Sequence, residues 1–102
     1  MNYSTLREAV GLMVEQDTGR LDPSVTNMVM AHLVINTPIA IMSIAEDQAL
    51  HIKKVAPLAE VAVVTKDLLE RVHHGVLDQV LSEAHHYVTS LPLEHSGTYQ
   101  SP

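Results

Sequence analysis

Two pairs of residues, Asp22-Pro23 and Thr37-Pro38, fix where helices can begin in the first half of the chain. Aspartate and threonine side chains accept hydrogen bonds from the free amide groups of a first helical turn, and proline is favoured at the first helical position. The apolar face after Asp22-Pro23 runs as far as Asn36 and consists of Val25, Met28, Val29, His32 and Leu33. The sequence therefore predicts a helix over residues 23–36.

An amphipathic helix is also predicted before this one, over roughly residues 5–18. Thr5 and Glu8 have the spacing of a capping box, in which each side chain accepts a hydrogen bond from the other residue's backbone N–H. The apolar residues at helical spacing are Leu6, Ala9, Val10 and Met13. Because Asp17-Thr18-Gly19 ends this pattern and the connection is short, we expect the two helices to form an antiparallel pair.

The middle of the chain allows two interpretations. Residues 39–44 are a short, β-branched apolar run typical of a strand, but a helix there would share one face among Ile41, Ile44, Ala45, Gln48, Ile52 and Val55. Residues 59–64 are ambiguous in the same way, and Thr65 would cap a helix beginning at Lys66. The favoured prediction is an all-α bundle of four to five helices. The alternative is an α+β fold with short strands near 39–44 and 59–64.

The last periodic segment predicts an amphipathic helix whose apolar stripe is Leu77, Val80, Leu81, Ala84, Val88 and Leu91. The stripe of the preceding segment is out of phase with it, and the change falls near Gly75. Either Gly75 ends a helix, or one long helix changes its packing partner there. Since residues after Leu91 show no period, we expect a single helical domain over 1–91 and a flexible tail over 92–102.

A chain of 102 residues has room for one hydrophobic core. With three tyrosines and no phenylalanine or tryptophan, that core must be built from Val, Leu, Ile, Ala and Met, without the large rings that anchor many small domains. A small domain of this kind often gains further apolar burial by oligomerising. We therefore expect a homodimer.

The formal charge of -6 excludes several classes of function. Binding to nucleic acid needs clustered cations, and only Lys53-Lys54 are adjacent, so we expect no direct nucleic-acid binding. We expect no membrane association either, because no apolar run approaches the ~20 residues of a membrane-spanning helix. The absence of cysteine and of glycine-rich phosphate loops argues against cofactors. The expected location is cytoplasmic.

Two histidine pairs, His73-His74 and His85-His86, are the strongest chemical signal. Glutamates precede them at Glu-x-x-His spacing, as in bundles that bind two metal ions, which makes Glu70, His73, Glu83 and His86 an alternative ligand set. Along one helix, however, the two motifs would lie about 20 Å apart. We therefore predict no metal site, and instead possible interface positions at His73, His85, Tyr87 and Val88.

These observations favour a small acidic regulatory protein, of anti-activator, adaptor or chaperone type, that acts by binding another protein. A basic regulator would be steered towards its negative charge. The predicted partner-binding residues are Val25, Met28, Val29, His32 and Leu33. We expect no enzymatic activity. The alternative is a small metal-binding or histidine-dependent enzyme that uses the His73/His74 and His85/His86 pairs.

Overall fold

The computed structural model describes residues 2–55, 58–69 and 75–92 and, within the second range, the side chains of residues 61–66. These residues form five helices and no strand, so the predicted all-α fold is confirmed. Both segments considered as strands, 39–44 and 59–64, are helical. The five helices are α1 (Ser4–Thr18), α2 (Pro23–Asn36), α3 (Ile39–Val55), α4 (Leu58–Leu69) and α5 (Val76–Ser90).

Helices α1, α3 and α5 pack against one another at the centre of the bundle. Helix α2 lies against α1 and α5, and helix α4 contacts α1, α3 and α5. The core between them is aliphatic, and its largest fully buried side chains include Leu6, Met13, Leu33, Met42, Leu77 and Leu81. In α5 the predicted apolar stripe is the face that is buried, from Leu77 to Val88, with Leu91 partly buried beyond it.

Helix α1 begins differently from the prediction. Its N-cap is Tyr3, whose backbone is in the left-handed conformation and whose side chain makes no capping hydrogen bond. Glu46 of α3 does so instead: its two carboxylate oxygens accept hydrogen bonds from the backbone N–H of Thr5 at 3.2 Å and of Leu6 at 2.7 Å. The capping-box prediction for Glu8 is wrong, because that carboxylate pairs with Lys53 at 2.9 Å.

Helix α2 begins as predicted, since the Asp22 side chain accepts a hydrogen bond from the backbone N–H of Val25 and Pro23 occupies the first turn. The face predicted for α3 is correct in part, since Ala45 is buried and Ile41 and Ile52 pack against the core. The buried residues of α3 are Met42, Ala45 and Ala49, whereas Ile44 and Val55 are exposed. Ala45 and Ala49 are small enough for the backbone of α3 to lie close to its neighbours, and the predicted face is therefore displaced from the buried one by part of a turn.

Helix α5 is also capped from α3. The Gln48 side-chain oxygen accepts a hydrogen bond from the backbone N–H of Leu77 at 2.7 Å. Gly75 precedes the helix with φ 78° and ψ −144°, a conformation that only glycine adopts readily. A Cβ at this position would lie 3.3 Å from the Gln48 amide nitrogen.

Thr65, predicted to begin a helix, instead lies inside α4, where its hydroxyl donates a hydrogen bond to the Val61 carbonyl.

Candidate functional site

Helix α2 carries apolar residues on both of its sides. Between Pro23 and Asn36 it has no lysine, arginine, aspartate or glutamate. One side is buried in the core, and the other is exposed at Met28, Ala31, Val34 and Ile35. Ile39, the first residue of α3, is exposed directly after the turn that ends α2. These five residues are called the α2 outer face below. Contiguous apolar residues on an exposed helix surface often mark a site that another protein covers.

The predicted partner-binding residues are divided between the core and the surface. Val25, Val29 and Leu33 are buried within the chain's own core, where they pack among the other helices. Met28 is exposed and belongs to the outer face, while His32 lies at the boundary of α2 that faces α5. The amphipathic pattern thus identified the core-facing side of α2, and the exposed apolar side lies opposite it.

His32 has three side-chain neighbours, of which Glu83 and Tyr87 join α2 to α5 and Asn36 lies on α2 itself. Its Nε2 lies 2.7 Å from Glu83 Oε2, and its ring stacks on Tyr87 with centroids 4.1 Å apart and an interplanar angle of 11°. The Asn36 side-chain nitrogen lies 2.8 Å from the His32 carbonyl oxygen and 3.2 Å from His32 Nδ1. These four residues are called the His32 cluster.

The hydrogen-bond directions in the His32 cluster follow from its chemistry. A carbonyl oxygen only accepts, so the Asn36 group facing it must be the amide NH2. The second hydrogen of that NH2 then points to His32 Nδ1, which accepts it, and the ring proton resides on Nε2 and is donated to Glu83. Both ring nitrogens of His32 are therefore engaged, and neither is available as a general base.

An open cleft of about 340 Å³ adjoins this cluster at the end of α2. Its polar lining comes from His32, Asn36, Thr37, Gln79 and Glu83, and its apolar lining from Ile41 and Val80. The Glu83 side chain is half exposed. Among the described residues no lysine or arginine lines this cleft, and of those that do line it only Glu83 carries a full charge.

A second histidine contact joins α5 to α1. The Nδ1–H of His85 donates to Asp17 Oδ2 at 2.9 Å, and the Asp17 side chain is only 8% exposed against 34% for His85. Of the other predicted interface positions, Tyr87 is partly buried by its stacking on His32, and Val88 is a core residue. His86 is exposed, with its ring 6.0 Å from that of His85.

The remaining predicted positions, Glu70, His73 and His74, lie outside the described residues. Within the ranges that the structure does describe, no three His, Asp or Glu side chains are grouped as metal ligands would be. Glu83, proposed as the partner of His86 in the alternative ligand set, instead bonds His32. In the same ranges, no helix has the length and apolar character needed to cross a membrane.

Sequence reasoning missed Asn36 and Asp17, the residues that orient the two histidines. Asn36 follows His32 by four residues and therefore lies on the same side of α2, a spacing that could have signalled their contact. Asp17 carried no such signal, because it is separated from His85 by most of the chain.

Comparison with known proteins finds no matching family model, no similar curated protein and no similar solved structure.

Proposed function

We propose that this protein is a non-enzymatic regulator that forms a reversible homodimer and acts by binding another, basic protein. The observation that carries the proposal is the α2 outer face, an exposed apolar surface on a helix without Lys, Arg, Asp or Glu. A second copy of the chain, packed α2 against α2 about a two-fold axis, is the occupant of that face.

Charge supports self-association at this face. The chain has a formal charge of -6, so two copies repel each other over most of their surfaces. The α2 outer face is uncharged, and two such faces can meet without bringing carboxylates together. The geometry is also suitable, because exposed residues at positions 28, 31 and 35 form a straight stripe along α2 that can interdigitate with its copy.

The apolar area available sets the strength of the dimer. Met28, Val34, Ile35 and Ile39 are 44%, 51%, 79% and 74% exposed, together about two and a half side chains. At about 2 kcal/mol for each fully buried side chain, covering them in both copies contributes about 10 kcal/mol. Association costs at least about 4 kcal/mol. The net of about 6 kcal/mol corresponds to a dissociation constant of tens of micromolar or weaker.

The distribution of charge supports a basic partner. Attraction between oppositely charged surfaces accelerates association and weakens as salt screens it. The Glu83 carboxylate in the cleft beside α2 is half exposed and is one point at which a cation could be bound. The enzyme alternative relies on the His73/His74 and His85/His86 pairs; His73 and His74 lie outside the described residues, and the Nδ1–H of His85 is donated to Asp17.

Sedimentation equilibrium from about 10 µM to about 1 mM protein, a range around the expected dissociation constant, tests the dimer. Ile35→Ser removes most of one exposed side chain from each copy, about 3 kcal/mol per dimer, and should weaken dimerisation about a hundredfold. Val55→Ser is the matched control, since Val55 is 68% exposed at the far end of α3. A strict monomer, or equal loss in both variants, would refute the dimer.

Partner binding needs a separate experiment. Proteins captured on the immobilised wild-type chain from the cells that produce it are identified, purified and tested again as pure components. We expect a basic protein whose affinity falls as salt rises from about 50 to about 200 mM. Retention of only acidic proteins, or binding that salt does not change, would contradict a charge-guided regulator.

A further inference from the structure

We infer that the cleft beside the His32 cluster binds an arginine side chain of the partner protein. The inference rests on the proposed function, since it states which group of the partner is recognised. It concerns a different surface from the α2 outer face, because the cleft lies on the side of α2 that faces α5. The dimer and this site can therefore be tested independently.

Two residues of the His32 cluster that line the cleft, Asn36 and Glu83, have hydrogen-bond acceptors that the cluster itself does not use. Asn36 uses its amide nitrogen on the His32 carbonyl oxygen and Nδ1, so the group it has left to offer is its Oδ1. Glu83 accepts one hydrogen bond from His32 and, as an ionised carboxylate, can accept about three more. The ring proton of His32 is already donated to Glu83, so His32 offers the cleft no further donor.

The carboxylate of Glu83 and the free oxygen of Asn36 favour a group that donates hydrogen bonds and carries positive charge, while Thr37 and Gln79 have hydrogen-bond acceptors as well as donors. Guanidinium has five N–H donors, no acceptor and a planar shape that bonds a carboxylate through two parallel N–H groups. Its remaining donors can reach neutral oxygens such as those of Asn36, Thr37 and Gln79. Lysine offers a single point of charge with three donors and matches a set of separated acceptors less well.

The size and the apolar lining of the cleft also suit a side chain. At about 340 Å³ it lies at the lower end of the range for small-molecule pockets, which is small for a nucleotide or a flavin. Ile41 and Val80 provide apolar surface against which the methylene groups of an arginine can pack while its charged end reaches Glu83. Arginine is also enriched in the cores of protein interfaces.

The experiment follows amide signals of 15N-labelled protein by NMR while N-acetyl-arginine amide is added. We expect saturable shifts at Gln79, Val80 and Glu83, with a dissociation constant of about 1 mM, as is typical of so small a ligand. Nα-acetyl-citrulline amide has nearly the same shape without the charge and should bind about tenfold more weakly. Nα-acetyl-lysine amide keeps a positive charge on its side chain but lacks the guanidinium, and it should also bind about tenfold more weakly.

Three variants identify the site. Glu83→Gln keeps an oxygen to accept the His32 proton but removes the charge, and should weaken arginine-amide binding about tenfold. Gln79→Lys places a cation at the cleft from an exposed position and should block binding. Glu15→Gln removes an exposed carboxylate on α1, outside the cleft lining, and should leave binding unchanged.

Several outcomes would overturn the inference. No saturable shift at the highest soluble concentration, equal binding of arginine and citrulline amides, or equal binding of arginine and lysine amides would each do so. Binding that is lost as the protein dimerises would place an arginine of a second copy in the cleft instead of one from a partner. Ile35→Ser should retain arginine-amide binding, so failure of the dimer and failure of this site remain distinguishable.

Discussion

Replacing Glu46 by alanine tests whether α1 depends on α3 for its first turn. The wild-type carboxylate accepts hydrogen bonds from the backbone N–H of Thr5 and Leu6, and both of these residues are buried. Without Glu46, water can reach these two amide groups only in part. The variant therefore loses two charge-assisted hydrogen bonds and leaves polar groups of the helix terminus poorly solvated.

The expected cost is about 2 to 3 kcal/mol of the free energy of unfolding. Hydrogen bonds to charged groups contribute about 1.5 to 3 kcal/mol each, and the partial exposure of Glu46 reduces their sum. The negative charge near the positive end of the α1 dipole adds up to about 1 kcal/mol within this total. Glu46→Gln keeps one oxygen and should cost about half as much.

Urea unfolding followed by circular dichroism measures this loss. A change of 2 to 3 kcal/mol lowers the midpoint by about 1 to 2 M, or the melting temperature by about 10 to 15 °C. Protein below about 10 µM keeps the proposed dimer from contributing. Asp47→Ala, the exposed neighbour on α3, is the control and should change stability by less than about 0.5 kcal/mol. Equal effects of Glu46→Ala and Asp47→Ala would refute the capping role.

Three further predictions use the same unfolding measurement. Gly75→Ala should lower the free energy of unfolding by about 2 to 3 kcal/mol, because φ is 78° with ψ −144° and the new Cβ would crowd Gln48. Gly19→Ala, at φ 82° and ψ 4° with open space around the new Cβ, should lower it by about 1 kcal/mol. Equal losses in the two variants would contradict this reasoning. Gln48→Ala should lower the free energy of unfolding by about 1 kcal/mol. In the double variant it should also reduce the loss caused by Gly75→Ala by at least about 0.5 kcal/mol. Strictly additive losses would show that the two residues do not interact. Asp17→Asn keeps an oxygen that accepts the His85 Nδ1–H and should lower the free energy of unfolding by less than about 1 kcal/mol. His85→Ala leaves a nearly buried carboxylate without that donor and should lower it by more. A larger loss in Asp17→Asn than in His85→Ala would argue against this pairing.

The elements that could be predicted from the sequence depend on neighbouring residues. At the start of α2 the Asp22 side chain accepts a hydrogen bond from the backbone N–H of Val25, only three residues further along the chain. The apolar stripe of α5 is periodic because one side of that helix faces the core. Helix α3 was ambiguous for a physical reason. It packs against several helices at once, its fully buried positions include the small alanines 45 and 49, and its isoleucines are divided between the core side, at Ile41 and Ile52, and the exposed side, at Ile39 and Ile44.

The contacts between helices could not be predicted in the same way. His32 and Glu83 are separated by 51 residues, and Thr5 and Glu46 by 41. Which residues meet depends on how each helix is rotated and shifted along its neighbours, and hydrophobic periodicity leaves both choices open. Glu83 was therefore assigned to His86, its neighbour on the same helix, although in the folded chain it bonds a histidine of α2.

Capping from α3 has a consequence for the order in which the chain folds. An isolated helix of 15 residues is marginal in water, and α1 and α5 are both of that length. Their first turns are completed by Glu46 and Gln48, which lie two residues apart on α3 and are 40 and 29 residues distant from the amides of Leu6 and Leu77. The first turns of α1 and α5 gain these hydrogen bonds only once α3 has docked, so α3 couples α1 and α5 into one cooperative folding unit.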